Sequence, residues 1–115
     1  LLINTLKQEN QECLIPNTVS CTEEEKIINS LISKNKQQKI IIYGSNCNDI
    51  SIYSKYEQLS KLGFINLYIY TGGLFEWLCL QDIYGKELFP TTKKELDILK
   101  YKSYPILNNN YYLTN

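Results

Sequence analysis

Hydrophobic residues along the 115-residue chain fall into two kinds of block, short β-branched runs and stripes at helical spacing. Leu1-Leu2-Ile3 reads as a strand. The stretch from Asn4 to Thr18 is polar and broken by Pro16, a long connection with room for one helical turn, and Thr18-Val19-Ser20 has the composition of a short strand. Thr22-Glu23-Glu24-Glu25 has the form of a capping box, in which the threonine hydroxyl caps a helix and the glutamate three residues on reaches back to the cap amide. Ile27, Ile28, Leu31 and Ile32 follow at helical spacing and predict one buried stripe. After a polar turn over 34–38, Lys39-Ile40-Ile41-Ile42-Tyr43 shows no alternation, which predicts a central strand buried on both faces. Residues 44–49 make a loop of small polar side chains. Ile52, Tyr56, Leu59 and Leu62 define an amphipathic helix that stops at Gly63. Leu67 to Tyr70 reads as a second buried strand, Thr71-Gly72-Gly73 as a tight turn, and Leu74 to Gln81 as a short helix carrying Trp77. Thr92-Lys93-Lys94-Glu95 repeats the capping-box pattern and predicts a helix through Leu99 or Lys100. A tail containing Asn108-Asn109-Asn110 begins at Pro105.

Strands alternating with helices, both main strands unalternating, predict an α/β fold: a small parallel sheet flanked by helices on both faces, with a C-terminal helical extension and tail. The length suits one compact core. We expect the domain to occupy residues 1–85 and the extension 86–115 to pack on the domain or on a partner. In open parallel sheets the working surface lies at the carboxyl ends of the strands, so the loop 44–49 after the most buried strand is the candidate site.

Charge narrows the chemistry. Lys+Arg and Asp+Glu are each 12, giving zero net charge and no global electrostatic case for nucleic acid. All the cations are lysines, and the chain holds neither histidine nor arginine. Without His there is no imidazole base, Cys/His pair or imidazole metal ligand; without Arg there is no bidentate clamp for phosphate or carboxylate. The abundance of Ile, Lys, Asn and Tyr matches an A/T-rich coding sequence. The longest apolar run, Ile40 to Tyr43, is far too short to span a membrane. No signal-peptide pattern opens the chain, and the missing initiator Met leaves room for residues upstream. Cys13, Cys21, Cys47 and Cys79 form no Cys-x-x-Cys pair, and a zinc site would need all four thiolates at unusual spacing. The expectation is reduced thiols in the cytoplasm or another reducing compartment, with no metal and no cofactor.

Several segments, in order, resemble the rhodanese-like family of single-domain sulfurtransferases and their phosphatase relatives. Lys39-Ile40-Ile41-Ile42-Tyr43, the loop and the helix after it are followed by Leu62-Gly63-Phe64-Ile65-Asn66-Leu67-Tyr68-Ile69-Tyr70, similar to the family's "LGF-x-NVYVL" strand. Gly72-Gly73-Leu74-Phe75-Glu76-Trp77 resembles its "GG-x-x-x-W" turn. Leu2-Ile3-Asn4 resembles the "L-I-D" of the first strand, and Cys13-Leu14-Ile15-Pro16-Asn17-Thr18 its "G-H-I-P-G-A" segment. The likeness runs from residue 1 to about 80. It implies a cysteine at the end of the central strand, its sulfur cupped by loop amides above a helix N-terminus, where partial positive charge stabilises a thiolate or persulfide.

Measured against that pattern, the reactive groups are missing. The expected cysteine position is Gly44. Asn4, Leu6 and Leu14 stand where the family has Asp, Arg and His, the loop holds no cation, and Asp49 replaces the Arg that closes the loop. The resemblance therefore implies a catalytically degenerate module that binds another protein or builds an assembly. The alternative is a sulfurtransferase or persulfide carrier for a small sulfur-containing anion, with Cys47 as a relocated nucleophile in the anion-binding loop Gly44-Ser45-Asn46-Cys47-Asn48-Asp49. A tolerated thiol in a small polar loop is the plainer reading of Cys47. A phosphatase would need the missing cation. Gly72, Gly73 and Trp77 are scaffold positions. Cys79 reads as core, Cys13 and Cys21 as bystanders in a surface loop and before a helix cap, and Glu76 and Asp82 as solvated or capping carboxylates. The tyrosines, Tyr53, Tyr56, Tyr101, Tyr104, Tyr111 and Tyr112 among them, serve packing or an interface after Gly85, where Leu88-Phe89-Pro90 and Tyr104-Pro105-Ile106-Leu107 must find cover.

Overall fold

The computed structural model describes residues 1–103. Strands β1 (Leu2–Asn4), β2 (Ile40–Tyr43) and β3 (Leu67–Tyr70) alternate with helices α1 (Glu24–Lys34), α2 (Ser51–Lys61) and α3 (Gly73–Tyr84). The sheet is an open parallel one in the order β1-β2-β3. Ile3 pairs with Ile42, and Ile42 with Ile69. Thr18 adds a single parallel bridge outside β1, fixed by the Val19 amide donating to Leu2 O at 2.8 Å. The expected short strand there is reduced to this bridge.

The unalternating Ile-Ile-Ile-Tyr run takes the centre because only a central strand is covered on both faces. One face buries Ile3, Ile40 and Ile42 against Ile28 of α1, Ile52 and Leu59 of α2, and Phe64. The other buries Tyr43 against Leu74 and Leu78 of α3 and Leu6, Cys13, Leu14, Ile15 and Tyr101. The helices thus lie on both faces, as the pattern predicted. A half-buried ion pair, Lys55 Nζ to Glu24 Oε2 at 2.6 Å, ties α2 to α1. Helix α2 closes with a Schellman motif: the Gly63 amide donates to Ser60 O and the Phe64 amide to Leu59 O, and Leu59 and Phe64 join the same core. Asn17 sits at φ 70° in the turn after Pro16, a left-handed position asparagine adopts more readily than other side chains.

Several local expectations are overturned by tertiary contacts. Thr22 does not cap α1; its hydroxyl bonds Ser20 at 2.9 Å, and the helix begins at Glu24 without a side-chain cap. Thr92 heads no helix. Its hydroxyl donates to Glu12 O at 2.7 Å and accepts from the Leu14 amide at 3.0 Å, so the chain is pinned to the segment before β2 and only a 3-10 turn forms, over Ile98–Tyr101. Strand β3 is an edge, so Tyr68 stays half exposed, with Lys39 over its ring. On α2 the buried stripe is Ile52 and Leu59, while Tyr56 and Leu62 face outward. Cys13 is buried, because Tyr101 folds back into the same cluster. The tail from Pro105 and its apolar and tyrosine residues, Tyr104, Ile106, Leu107, Tyr111 and Tyr112, lie outside the described residues.

Tyr43 shows how the core fixes the connection after β1. Its ring is fully buried, and its hydroxyl accepts from the Ile15 amide at 3.2 Å and shares a hydrogen bond with the Thr18 hydroxyl at 2.8 Å. Burial pushes its phenol above the ordinary tyrosine range. Tyr43→Phe leaves the Ile15 amide without its partner and should cost about 1–3 kcal/mol. Urea unfolding should show a lower midpoint at unchanged slope; an unmoved midpoint would mean that the amide finds another acceptor.

Candidate functional site

The loop 44–49 leaves the carboxyl end of β2 and is held on two sides. From α3, the Leu74 amide donates to Gly44 O at 2.9 Å and the Phe75 amide to Ser45 O at 2.8 Å. The first amides of that helix, which have no acceptor inside it, are therefore used on the loop's own carbonyls. This approach requires Gly73. It sits at φ 67°, and a β-carbon there would lie 2.6 Å from Gly44 O and 2.8 Å from Asn46 N. From the other side, Asn46 Nδ2 donates to Tyr101 O at 2.9 Å, so the C-terminal segment is stitched directly to the loop.

Inside the loop the carboxylate of Asp49 is the organising group. Its Oδ2 accepts the Ser45 amide at 2.9 Å, and its Oδ1 accepts the Ser51 amide at 3.0 Å and the Ser51 hydroxyl. Burial alone would raise its pKa, yet the hydrogen bonds from Ser45 and Ser51 hold it below the usual carboxylate value. The Asn48 amide turns to Asn46 Oδ1 and the Asp49 amide to Asn46 O. Amides of Ser45, Asn48, Asp49 and Ser51 thus all donate within the loop itself. A β-carbon at Gly44 would lie 2.5 Å from Asp49 Oδ2 and 3.0 Å from Ile52 Cγ2. The space that a side chain at 44 would enter is filled by Asp49.

The loop opens into a cavity of about 560 Å³ lined by Ser45, Asn46, Asn48 and Asp49, with Thr5, Lys7 and Asn10 from the segment after β1 and Lys100, Tyr101 and Lys102 from the 3-10 turn. Cys47 is exposed and does not line it, and among the described residues no hydrogen bond reaches its sulfur. Gly72 and Gly73 meet the loop, whereas Trp77 lies further along α3, its Nε1 donating to Pro90 O at 2.8 Å. Glu76 occupies the space beside Gly72. Burial and the charge of Glu76 together push the Tyr70 phenol up to about 12. Asp82 is exposed. Among the described residues no group of acidic or thiol side chains converges to hold a metal ion.

Sequence reasoning missed the lysines. Lys100 and Lys102 flank Tyr101 in a recognisable basic pair, but nothing local signals that the segment returns to a loop more than fifty residues earlier. The Asp49-Ile50-Ser51 order was a usable signal, since an aspartate bonding the amide two residues on is a common turn device.

The family model of the rhodanese-like domain matches residues 6–79, more than half of the chain. No curated protein and no solved structure matches it. Among the described residues no helix is long and apolar enough to cross a membrane.

Proposed function

The chain belongs to the rhodanese-like domain family, and from that premise we propose that it is a catalytically inactive member that works by binding another protein or joining an assembly. One observation carries this reading: the Asp49 carboxylate takes the Ser45 and Ser51 amides and fills the space beside Gly44. The inward-turned carboxylate leaves no room for a thiol at the end of β2 and puts a negative charge where the sulfur anion itself would form. Lysines close by do not restore the cradle, because the Ser45 and Ser51 amides serve Asp49 and the Asn48 and Asp49 amides serve Asn46. Residues 86–115 are read as an extension of the domain. Trp77–Pro90, Gln81–Phe89, Thr92–Leu14 and Asn46–Tyr101 contacts hold its first part on the core.

The competing reading is sulfur transfer through Cys47, favoured by its exposure on the same loop. Its thiolate would attack the sulfane sulfur of thiosulfate, forming an S–S bond to cysteine while the sulfur–sulfur bond of thiosulfate breaks and sulfite leaves. Incubation with thiosulfate followed by intact-mass measurement separates the two. We expect no mass change. A gain of one sulfur atom that disappears in Cys47→Ser defeats the inactive-module reading.

A further inference from the structure

Resting on the interaction reading, we propose that the cavity over the loop is the docking site for a short acidic segment of a partner protein, with Lys7 and Lys102 as its anchors and Ile50 as its apolar contact. The charged residues lining the cavity are Lys7, Lys100, Lys102 and Asp49. Asp49 is turned inward to the Ser45 and Ser51 amides. Lys100 is paired with Glu95 and lies 5.2 Å from the centre of the Tyr101 ring. Lys7 and Lys102 are exposed, and neither makes an ion pair among the described residues. The mouth is therefore positive in a molecule whose net charge is zero, and complementary charge is what directs a partner to such a place.

The remaining lining selects the kind of anion. Ile50 is 78% exposed, a large apolar side chain lining the same cavity as Lys7 and Lys102, which suits a segment that alternates acidic and aliphatic residues. Asn10 and Asn48 add amide groups to the same wall. A phosphate group is less well served. The chain has no arginine to grip it bidentately, and four amides of the loop region are already engaged. Carboxylates need only the point charges that the lysines offer. The site exists because Tyr101 is buried and its carbonyl is held by Asn46, which sets Lys100 and Lys102 beside the loop.

The probe is a short fluorescein-labelled peptide of alternating glutamate and leucine, titrated against the full chain by anisotropy, with a lysine-for-glutamate peptide as control. The acidic peptide should bind, more weakly at higher salt, and Lys7→Gln with Lys102→Gln should weaken it about tenfold. Lys34→Gln with Lys36→Gln, outside the cavity, should leave binding unchanged. Absence of binding, equal loss in both variants, or stronger binding of a single-stranded oligonucleotide or an anionic vesicle would overturn the proposal. If the peptide fails while thiosulfate leaves the mass unaltered, the cavity assignment falls and the inactive-module reading stands. A one-sulfur gain on Cys47 removes that reading whatever the peptide does.

Discussion

Replacing Gly73 with alanine should destabilise the protein by about 3–5 kcal/mol, a large share of the stability of a domain this size. Two effects add. The backbone at φ 67° disfavours any residue with a β-carbon by roughly 1–2 kcal/mol. The new methyl also meets Gly44 O at 2.6 Å, Asn46 N at 2.8 Å and Ser45 C at 2.9 Å, all backbone atoms without a rotamer to escape into. Either the loop or the start of α3 must move, and the Leu74–Gly44 and Phe75–Ser45 hydrogen bonds go with it. Gly85→Ala is the matched control. Gly85 also has positive φ, 96°, with ψ 158°, a region nearly confined to glycine, but nothing lies within 4 Å of its would-be β-carbon, so only the conformational part remains, about 1–3 kcal/mol. Urea titration of both variants checks the difference. Equal losses would mean that the contact between α3 and the loop is not tight.

Asp49→Ala should cost about 2–3 kcal/mol at neutral pH, because two amides and a hydroxyl lose an ionised acceptor. The effect has a definite pH signature. The folded-state pKa of Asp49 lies below its ordinary value, so its contribution is complete above about pH 4 and is lost as pH falls through the folded-state value. The gap between wild type and Asp49→Ala should therefore be constant from neutrality down to about pH 4 and shrink below it. Gly44→Ala should produce much of the same loss, since its methyl pushes the carboxylate out of place, and the double variant should lose less than the sum of the two. Strict additivity in thermal or urea unfolding would separate Gly44 from Asp49 and remove the geometric basis of the proposal that the cradle is inactive.

The sheet was legible because its signals are local. Three isoleucines in a row need cover on both sides, and Ile52 with Leu59 marks one face of a helix whatever lies beyond it. The order of segments around Leu62-Gly63-Phe64 and Gly72-Gly73 carried the family resemblance, and the family model matches most of the same stretch. Local signals failed where a distant partner claimed the side chain. Thr22 and Thr92 both stand three residues before a glutamate, yet one hydroxyl goes to Ser20 and the other to Glu12 and Leu14. Glu95, expected to reach back to a cap, pairs instead with Lys100. At the candidate site the sequence gives Gly44 and Asp49 as departures from a pattern. Only three-dimensional placement joins them, the carboxylate standing where the missing side chain would be. The basic rim was invisible for the same reason, since Lys7 and Lys102 come from opposite ends of the chain.

Trp77 is the single indole in the chain. Its ring meets Tyr70 of β3 edge-on with centroids 6.2 Å apart and Phe89 of the C-terminal segment at 5.1 Å. The protein therefore carries its own fluorophore where the sheet meets the C-terminal segment. Lifting the strap off α3 would wet one side of that ring and shift its emission to the red, so the seating of residues 86–103 can be followed by colour alone, with no dye attached.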